Sequence, residues 1–375
     1  MFRHQHLIRY LFKRELSEIY VSIGLRDLAL SMTGIFVPLY LYIDLKYSLT
    51  SVMLFFLVYS LAMLFSSPFA GKFVSRYGIK HGILMSMFGF VIYTLLLIVL
   101  PYSHMYFLPA LIWGIANSFY WVSFHSDFTK FSDGKNRGQE VSLWFITAYL
   151  GILLGPILGS IIITFLGFET LFVIVSLLLL LSAAPLFLSS EFYQKTHFSF
   201  KHIFKEFPLK ETYIYITMGL RVVVSQAALP IFVFIILNEY ISLGAVASIA
   251  ALGSMIIGFF VGKLSRNEAR ERTMFRYGAL FHSIGWFILF FVKSFVQVAV
   301  VNLYLAVSYI FVDIPHHTLV YGEAKKSGKI LEYFVYRETM LNIGRVLGIL
   351  IIILTGKIIV GLIVSAVGLL PWFFL

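Results

Sequence analysis

The sequence predicts an all-α polytopic membrane protein with twelve spanning helices in two related six-helix halves. Three observations carry this prediction: the composition, the number of apolar windows and an internal repeat. Hydrophobic residues make up 60% of the 375 residues, charged residues only 13%, and the mean hydropathy is +0.91, whereas soluble domains carry about 25% charged residues. The basic residues behind the formal net charge of +11 lie in short turns between apolar runs. We therefore expect a lipid bilayer as partner and no nucleic acid.

The internal repeat consists of three short patterns that each occur twice, in the same order. Their two copies begin 195, 191 and 193 residues apart. The pairs are Gly24-Leu25-Arg26 with Gly219-Leu220-Arg221, Gly71-Lys72 with Gly262-Lys263, and Gly151-x-x-x-Gly155 with Gly344-x-x-x-Gly348. One order at one spacing indicates that the second half is a diverged copy of the first.

The spanning segments follow from windows of about 20 apolar residues bounded by charged turns. In the first half they are 17–43, 49–71, 81–102, 105–127, 140–165 and 168–190, and in the second half 212–238, 241–262, 274–293, 296–318, 335–355 and 357–374. The domains are then an N-terminal bundle (1–190), a linker (191–211) and a C-terminal bundle (212–375). Zero cysteines exclude disulfides, thiolate metal sites and cysteine nucleophiles.

The linker and the other basic turns set the expected orientation. Lysines and arginines concentrate at the N-terminus, in the linker and in every second turn, which predicts a multi-pass protein of the cell membrane with both termini cytoplasmic. Within the linker, Phe200, Ile203, Phe204 and Phe207 follow helical spacing. This segment is either a helix on the membrane surface or a tether that happens to be amphipathic.

The turn after span 2 carries a first motif. Gly71, Arg76, Gly78 and Lys80 follow in a register that resembles the loop 2/3 signature of the major facilitator superfamily. The glycines allow a tight turn and close helix approach, and the basic residues hold the turn at the cytoplasmic face. Ser75 stands where that family usually has an acidic residue, so the family's charge relay at this turn is altered.

Span 5 carries a second motif, with Arg137 before it. Its residues Gly151, Gly155, Pro156 and Gly159 resemble the signature of the antiporter branches of the same superfamily. Small residues spaced by four let two helix backbones approach, and the proline permits a bend. The alternative, ordinary small-residue packing, explains the glycines but not the whole set.

The resemblance implies the MFS fold and a secondary transporter that functions as a monomer. Spans 1, 4, 7 and 10 would line a central cavity, and rocking of the two bundles would expose it to each side in turn. The proton gradient would supply the energy without a cofactor, and the antiporter-type motif implies export of a small solute. A cavity rich in aromatic residues would suit an amphiphilic cargo, although phenylalanine is also an ordinary lipid-facing residue.

Asp27 is the candidate for proton coupling. It shares a small and polar helix face with Gly24, Ser31 and Gly34 in span 1. A desolvated carboxylate there could take up and release a proton as the cavity alternates. The alternative is a permanent ion pair with Arg26, Arg221 or Arg345.

The candidates for substrate binding combine the arginines inside the membrane with nearby polar residues. Arg26 and Arg221 occupy equivalent repeat positions, and guanidinium groups hold carboxylates or phosphates in a bidentate fork. The predicted set is Arg26, Arg221, Ser31, Gln226, Arg345 and Asp313. Packing or pairing of each arginine is the competing interpretation, and the symmetric placement of two of them favours an anionic or zwitterionic cargo.

The ends of spans 4 and 10 carry histidines next to aspartates. Asp313, His316 and His317 are spaced i, i+3 and i+4, and His125 with Asp127 ends span 4. This set could relay protons or bind a metal, but contacts at the cytoplasmic ends are the favoured interpretation, and no metal site is predicted. Glu338, seven residues before Arg345, is interpreted as a helix-end partner.

The function predicted from these observations is secondary transport, not enzymatic catalysis. The glycine-rich segments lack the ending of a phosphate-binding loop. Two alternatives stay open: an integral-membrane enzyme that acts on lipid with His125 or His316 as base, and a transporter-like sensor or scaffold.

Overall fold

The computed structural model describes residues 14–103, 105–132, 137–187, 198–204, 209–265 and 267–374 of the chain. For residues 14–20, 131, 186 and 187 it describes the backbone alone. These residues form helices joined by short turns, and no strand occurs among them.

The helices are numbered α1 to α12 in chain order. In the first half they are α1 (Arg14–Gly34), α2 (Leu49–Tyr77), α3 (Ile79–Val99), α4 (Leu108–Phe131), and α5 and α6, which share the continuous element Arg137–Ala183. In the second half they are α7 (Leu209–Leu237), α8 (Tyr240–Leu264), α9 (Glu268–Ile288), α10 (Phe295–Ser327), α11 (Ile330–Thr355) and α12 (Ile358–Leu369). The predicted count of twelve is confirmed.

The count depends on one glycine. Gly167 has φ 82° and ψ 172°, so it breaks the 47-residue element into α5 (137–166) and α6 (168–183). By length and hydropathy alone, nine helices of the described part qualify as spans, with this element counted once. Splitting it and adding α4 and the shorter α12 completes the twelve.

Several helices are longer at one end than the apolar windows predicted. Helix α9 begins at Glu268 instead of 274, where the side chain of Asn267 accepts a hydrogen bond from the Arg270 N–H and caps the helix. Helix α11 begins at Ile330 instead of 335. The windows stop at charged residues, whereas both helices continue past the apolar layer, α9 with a side-chain cap and α11 without one.

The linker packs against the helix ends, and we call that side of the molecule the linker end. The described residues 198–204 contain one 3-10 turn, Phe200–His202, in place of a longer surface helix. Ile203 is buried, and the backbone N–H of Ser199 donates to Glu332 Oε1 at 3.0 Å. Phe207, the fourth residue of the predicted apolar face, lies outside the described residues.

The internal repeat is visible as two equivalent helix contacts. In the first half, added Cβ atoms at Gly151, Gly155 and Gly159 would collide with α1 around Leu28 to Met32. In the second half, added Cβ atoms at Gly219 and Gly344 would collide with the backbones of α11 and α7, respectively. Close backbone contact therefore joins α1 to α5 and α7 to α11, as small residues permit.

The two halves meet along two further helix pairs, α2 with α11 and α5 with α8. At the linker end, an added Cβ at Gly138 would lie 2.7 Å from the Cβ of Ser265. Toward the opposite end, an added Cβ at Gly244 would lie 2.6 Å from the Pro156 carbonyl oxygen. The halves thus contact each other near both ends of the α5–α8 pair and leave a space between them.

Candidate functional site

A cavity of about 440 Å³ lies between the two halves. Residues of α1, α4, α7 and α10 line it, as do residues of α2, α3, α5 and α11. Its walls combine charged side chains with aromatic rings, among them Tyr59, Trp113, Tyr120, Trp121, Trp144 and Tyr309. All six predicted substrate residues and Asp27 are at this cavity.

Asp27 and Arg26 form an ion pair at the wall of the first half. Arg26 Nη1 lies 2.6 Å from Asp27 Oδ1, and both side chains are largely buried. The guanidinium carbon of Arg26 also lies 3.4 Å from the ring centroid of Tyr120, a cation–π contact. Of the two interpretations of Asp27, the structure contains the paired one, with Arg26 as the partner.

Arg221 faces the cavity from the second half and has no carboxylate partner among the residues that the structure describes. Its guanidinium carbon lies 3.7 Å from the ring centroid of Tyr309. One turn on, residues Val224–Ala228 form a π-helical turn that contains Gln226. The Oε1 atom of Gln226 has no hydrogen-bond partner among the described residues. Both residues therefore present unused hydrogen-bonding capacity near the cavity, at a local widening of α7 of a kind common at functional sites.

Arg345 connects the second half to α2. Its Nη1 donates to the Tyr59 hydroxyl at 3.2 Å, to Met63 Sδ at 2.9 Å and to Asn342 Oδ1 at 3.2 Å. These partners are neutral, and the ion pairs of the described residues do not include Arg345. Its positive charge is buried without a counterion, which is costly in a membrane interior.

Ser31 and Asp313 have partners that restrict their roles. The Ser31 hydroxyl donates to the carbonyl oxygens of Leu28 and Gly151, both at 2.9 Å, so it joins α1 to α5 although it lines the cavity. Asp313 Oδ1 lies 3.3 Å from His317 Nδ1 on the same helix. Asp313 is therefore paired with His317.

Sequence reasoning missed Arg337, which joins both halves at the linker end of the cavity. Its Nη1 lies 2.6 Å from Glu338 Oε1 and 3.2 Å from His125 Nε2, and its Nη2 lies 3.4 Å from His317 Nε2. We call Arg337, Glu338, His125, His317 and Asp313 the Arg337 cluster. The predicted start of span 11 at 335 made Arg337 look like a helix-end residue, whereas α11 begins at 330 and buries it.

The contacts of the Arg337 cluster define the form of both histidines. An arginine only donates hydrogen bonds, so each Nε2 that faces Arg337 is an acceptor and each imidazole is neutral. The proton is then on Nδ1, which faces the Tyr321 hydroxyl at 2.8 Å in His125 and the Asp313 carbonyl oxygen at 2.9 Å in His317. Protonation of either histidine would replace attraction to Arg337 with repulsion.

The structure divides the predicted histidine and aspartate set. His125, His317 and Asp313 converge, but His316 points to a second cavity and Asp127 does not line the central one. Among the described residues, no three His, Cys, Asp or Glu side chains form a group that could hold a metal ion. Glu338 is buried in the third turn of α11 and partners Arg337, not Arg345.

The turn motif between α2 and α3 contains two glycines with different roles. Gly78 allows the backbone of the turn, and Gly71 allows close packing of α2. Gly78 has φ 102°, which favours glycine, and separates the two helices. An added Cβ at Gly71 would lie 2.7 Å from Val335 Cγ2, across the contact between halves. Arg76 is exposed, and Lys80 is the second residue of α3, beside the turn.

Arg137 and Pro156 are also at contacts between the halves. Arg137 Nε donates to Ser132 Oγ at 3.2 Å. Its Nη1 would lie 3.0 Å from an added Cβ at Gly322 of α10. Pro156 lies inside α5 opposite Gly244 of α8. These residues pack and close the bundle around the cavity.

The charge balance of the cavity lining is positive. Arg26, Arg221, Arg337 and Arg345 line it with three carboxylates, those of Asp27, Asp313 and Glu338. With neutral histidines, the lining carries four positive and three negative charges. In the described part of the chain, the Nε–H group of each of these four arginines is buried without a hydrogen-bond partner. The cavity thus offers donors to an acceptor-rich ligand or to water.

Comparisons with known proteins agree with this architecture. A family model for the Major Facilitator Superfamily matches residues 19–349. The uncharacterized protein YqgE of Bacillus subtilis (strain 168) is 26% identical over 372 residues, which cover 92% of this chain and 83% of that protein.

Two solved structures have a similar fold. The human organic anion transporter MFSD10 (TETRAN) matches with a TM-score of 0.72 and 14% identity, over 96% of this chain and 98% of that chain. The E. coli fucose:proton symporter FucP matches with a TM-score of 0.66 and 14% identity, over 96% of both chains. These neighbours share the fold. The family match across residues 19–349 identifies the chain as a member of the Major Facilitator Superfamily.

Proposed function

We propose that the protein moves a small organic anion with an apolar body across the cell membrane by alternating access, coupled to protons. The linker end would face the cytoplasm, in line with the basic turns on that side. The protein would work as a monomer, because the cavity is formed within one chain.

The observation that carries the anion proposal is the pair Arg221 and Arg345. Both guanidinium groups are buried at the cavity, and neither has a carboxylate partner among the described residues. A carboxylate or phosphate placed between them would supply the missing counterion in a low-dielectric site. The rings of Trp113, Tyr120 and Tyr309 would surround an apolar body. MFSD10, named an organic anion transporter, supports the same cargo class.

The proton-coupling proposal rests on the Arg26–Asp27 pair. Protonation of Asp27 would break its ion pair with Arg26, and Arg26 would keep its cation–π contact with Tyr120. A bound anion adds negative charge to the same cavity, so it favours protonation of Asp27, and by linkage protonation favours anion binding. Because the proton and an anionic cargo strengthen each other's binding, we expect them to move in the same direction. FucP, named a proton symporter, is a precedent within the fold.

Export remains the direction that the antiporter-type motif of α5 implies. An antiporter needs proton and cargo to exclude each other, which suits a cationic amphiphile better than an anion. In an anion symporter the proton and the cargo would therefore favour each other's binding. In an exporting antiporter they would weaken it. The gate would be the Arg337 cluster, whose hydrogen bonds join α4 of one half to α10 and α11 of the other.

The anion proposal is tested with purified protein in proteoliposomes and a panel of labelled aromatic carboxylates, organic phosphates and cationic amphiphiles. We expect flux of an anion, and Arg221→Gln or Arg345→Gln should lower its affinity about tenfold or more, because each removes one charge-assisted contact. Arg270→Gln, an exposed arginine outside the cavity, is the matched control. Unchanged anion affinity in both cavity variants would contradict the proposal.

The same assay separates the alternatives. A sensor or scaffold would bind a ligand without flux. A lipid-modifying enzyme would need a histidine and an aspartate that meet in a pocket open to lipid. His125, however, is buried between the two halves, and His316 is buried at the wall of the second cavity, whose described lining residues include no aspartate. Release of a modified lipid in the absence of flux would favour the enzyme.

A further inference from the structure

A second cavity of about 340 Å³ lies within the C-terminal half at the linker end. Helices α7, α9, α10 and α11 form its walls, and no residue lines both this cavity and the central one. The neighbours His316 and His317 separate the two spaces, since His316 lines the second cavity and His317 the central one.

The inner wall of the second cavity contains an unused hydrogen-bonding group. His316 is only 5% exposed, and its Nε2 has no partner among the described residues. Its ring stacks on Phe275 at 5.7 Å and meets Tyr215 edge-on at 6.0 Å. A buried imidazole nitrogen without a partner costs free energy unless a ligand or water satisfies it.

The outer wall of this cavity carries charges of both signs. Lys210, Arg272 and Arg276 line it, and the charge of Lys210 lies close enough to both arginines to be repelled by them. Arg272 Nη2 also donates to Glu268 Oε1 at 2.7 Å, outside the lining. Glu211 and Glu323 line it as well and repel each other, while Lys210 and Arg272 attract Glu211 and Lys326 Nζ lies 3.6 Å from Glu323 Oε1. A ligand with one sign of charge would relieve only one of these two repulsions.

The outer wall also lies near the expected level of lipid headgroups. Tyr277, next to Arg276, is half exposed and contacts Phe373 at 5.5 Å, and Phe374 is largely exposed. Trp372 stacks on Phe275 at 5.2 Å. Aromatic residues gather at the membrane–water interface, so a lipid headgroup can reach the same depth as the charged wall.

We propose that the second cavity binds a phosphate ester that carries a primary ammonium group. The phosphate would lie between Lys210, Arg272 and Arg276, and the ammonium would lie between Glu211 and Glu323. The Nε2 atom of His316 would hydrogen-bond to the part of the ligand that reaches the inner wall. Two sources share this chemistry: an aminophospholipid headgroup and a soluble aminophosphate.

The test is calorimetric titration of the full-length protein with O-phosphoethanolamine, inorganic phosphate or ethanolamine. We expect O-phosphoethanolamine to bind more tightly than either half alone. Arg276→Gln should weaken its binding about tenfold or more through loss of one charge-assisted contact. Arg270→Gln is the matched control, because this arginine is on the same helix and exposed but does not line the cavity.

Lipid nanodiscs distinguish the two sources. If native mass spectrometry detects phosphatidylethanolamine on the wild type but not on the Arg276→Gln variant, the ligand is a lipid headgroup. If only the soluble compound binds, the ligand is a soluble aminophosphate. Equal affinity for phosphate alone, binding that survives Arg276→Gln, or no binding of any probe overturns the proposal.

Discussion

Single residues at the central cavity differ in how their charges are balanced. Arg26 and Arg337 have carboxylate neighbours at 2.6 Å, whereas the partners of Arg345 are neutral and Arg221 stacks on a ring. On this difference we base the proposal that the first two arginines act in coupling and gating and that the last two bind the cargo.

Replacing Asp27 with asparagine tests the coupling role at the residue scale. The variant keeps the size of the side chain but removes the charge that pairs with Arg26 and the group that would titrate. We expect cargo exchange to continue while accumulation driven by a pH gradient is lost. Proteoliposome uptake with and without an imposed gradient measures both. Gradient-driven accumulation equal to that of the wild type would leave Asp27 as an ion-pair residue only.

Arg337→Lys tests the gate. Lysine keeps the charge but lacks the planar fork that reaches two imidazoles at once. We expect the linker end to open more often and a cysteine introduced at Ala148, on the cavity wall, to react faster with a thiol reagent. The chain has no cysteine of its own, so the label reports this site alone. Equal labelling rates in Arg337→Lys and in the exposed control Arg270→Lys would exclude a gating role.

At the scale of helices, the contacts α1–α5 and α7–α11 depend on glycine. An added Cβ at Gly344 would collide with the backbone carbonyl of Ile216, which cannot rotate away as a side chain can. We expect Gly344→Ala to cost about 1–3 kcal/mol or more through overpacking and to lower the Tm. Gly368→Ala is the control, since its added Cβ would lie 3.7 Å from Thr217 Cγ2, an ordinary contact.

Thermal unfolding in detergent, followed by light scattering or an environment-sensitive dye, compares the two glycine variants. If Gly344→Ala were as stable as Gly368→Ala, the close approach of α7 and α11 would be wrong.

The helices were largely predictable from the sequence, because apolar length and charged turns determine spans. The ends of the helices were harder to predict, because capping by Asn267 extends α9 beyond the apolar layer. The candidate site was predictable where the repeat marked it, at Arg26 and Arg221. Arg337 was not, because its role depends on His125 and His317, which only tertiary packing brings within 3.2 and 3.4 Å of it.

For the whole molecule, alternating access requires contacts at both ends to break in turn. The double variant Gly138→Cys with Ser265→Cys would lock the linker end, and Ser160→Cys with Gly244→Cys would lock the opposite side. Ideal Cβ atoms at Gly138 and Gly244 lie 2.7 and 2.8 Å from the partner Cβ atoms. A disulfide needs about 3.8 Å, so the helices must separate only slightly to form it.

We expect either disulfide to stop transport and reduction to restore it. The four single-cysteine variants, treated with the same oxidant, are the controls. Transport that continued at the normal rate with both locks formed would contradict rocking of the two halves.

The single-residue turn at Gly167 has a mechanical consequence. Helices α5 and α6 are joined without slack, because one glycine with φ 82° is the whole connection between them. If an atomic force microscope pulls the chain out of a membrane from one terminus, these two helices should come out as one hairpin in a single force peak. Pairs joined by longer turns can leave one at a time. Inserting a flexible glycine–serine segment at Gly167 should divide that peak in two.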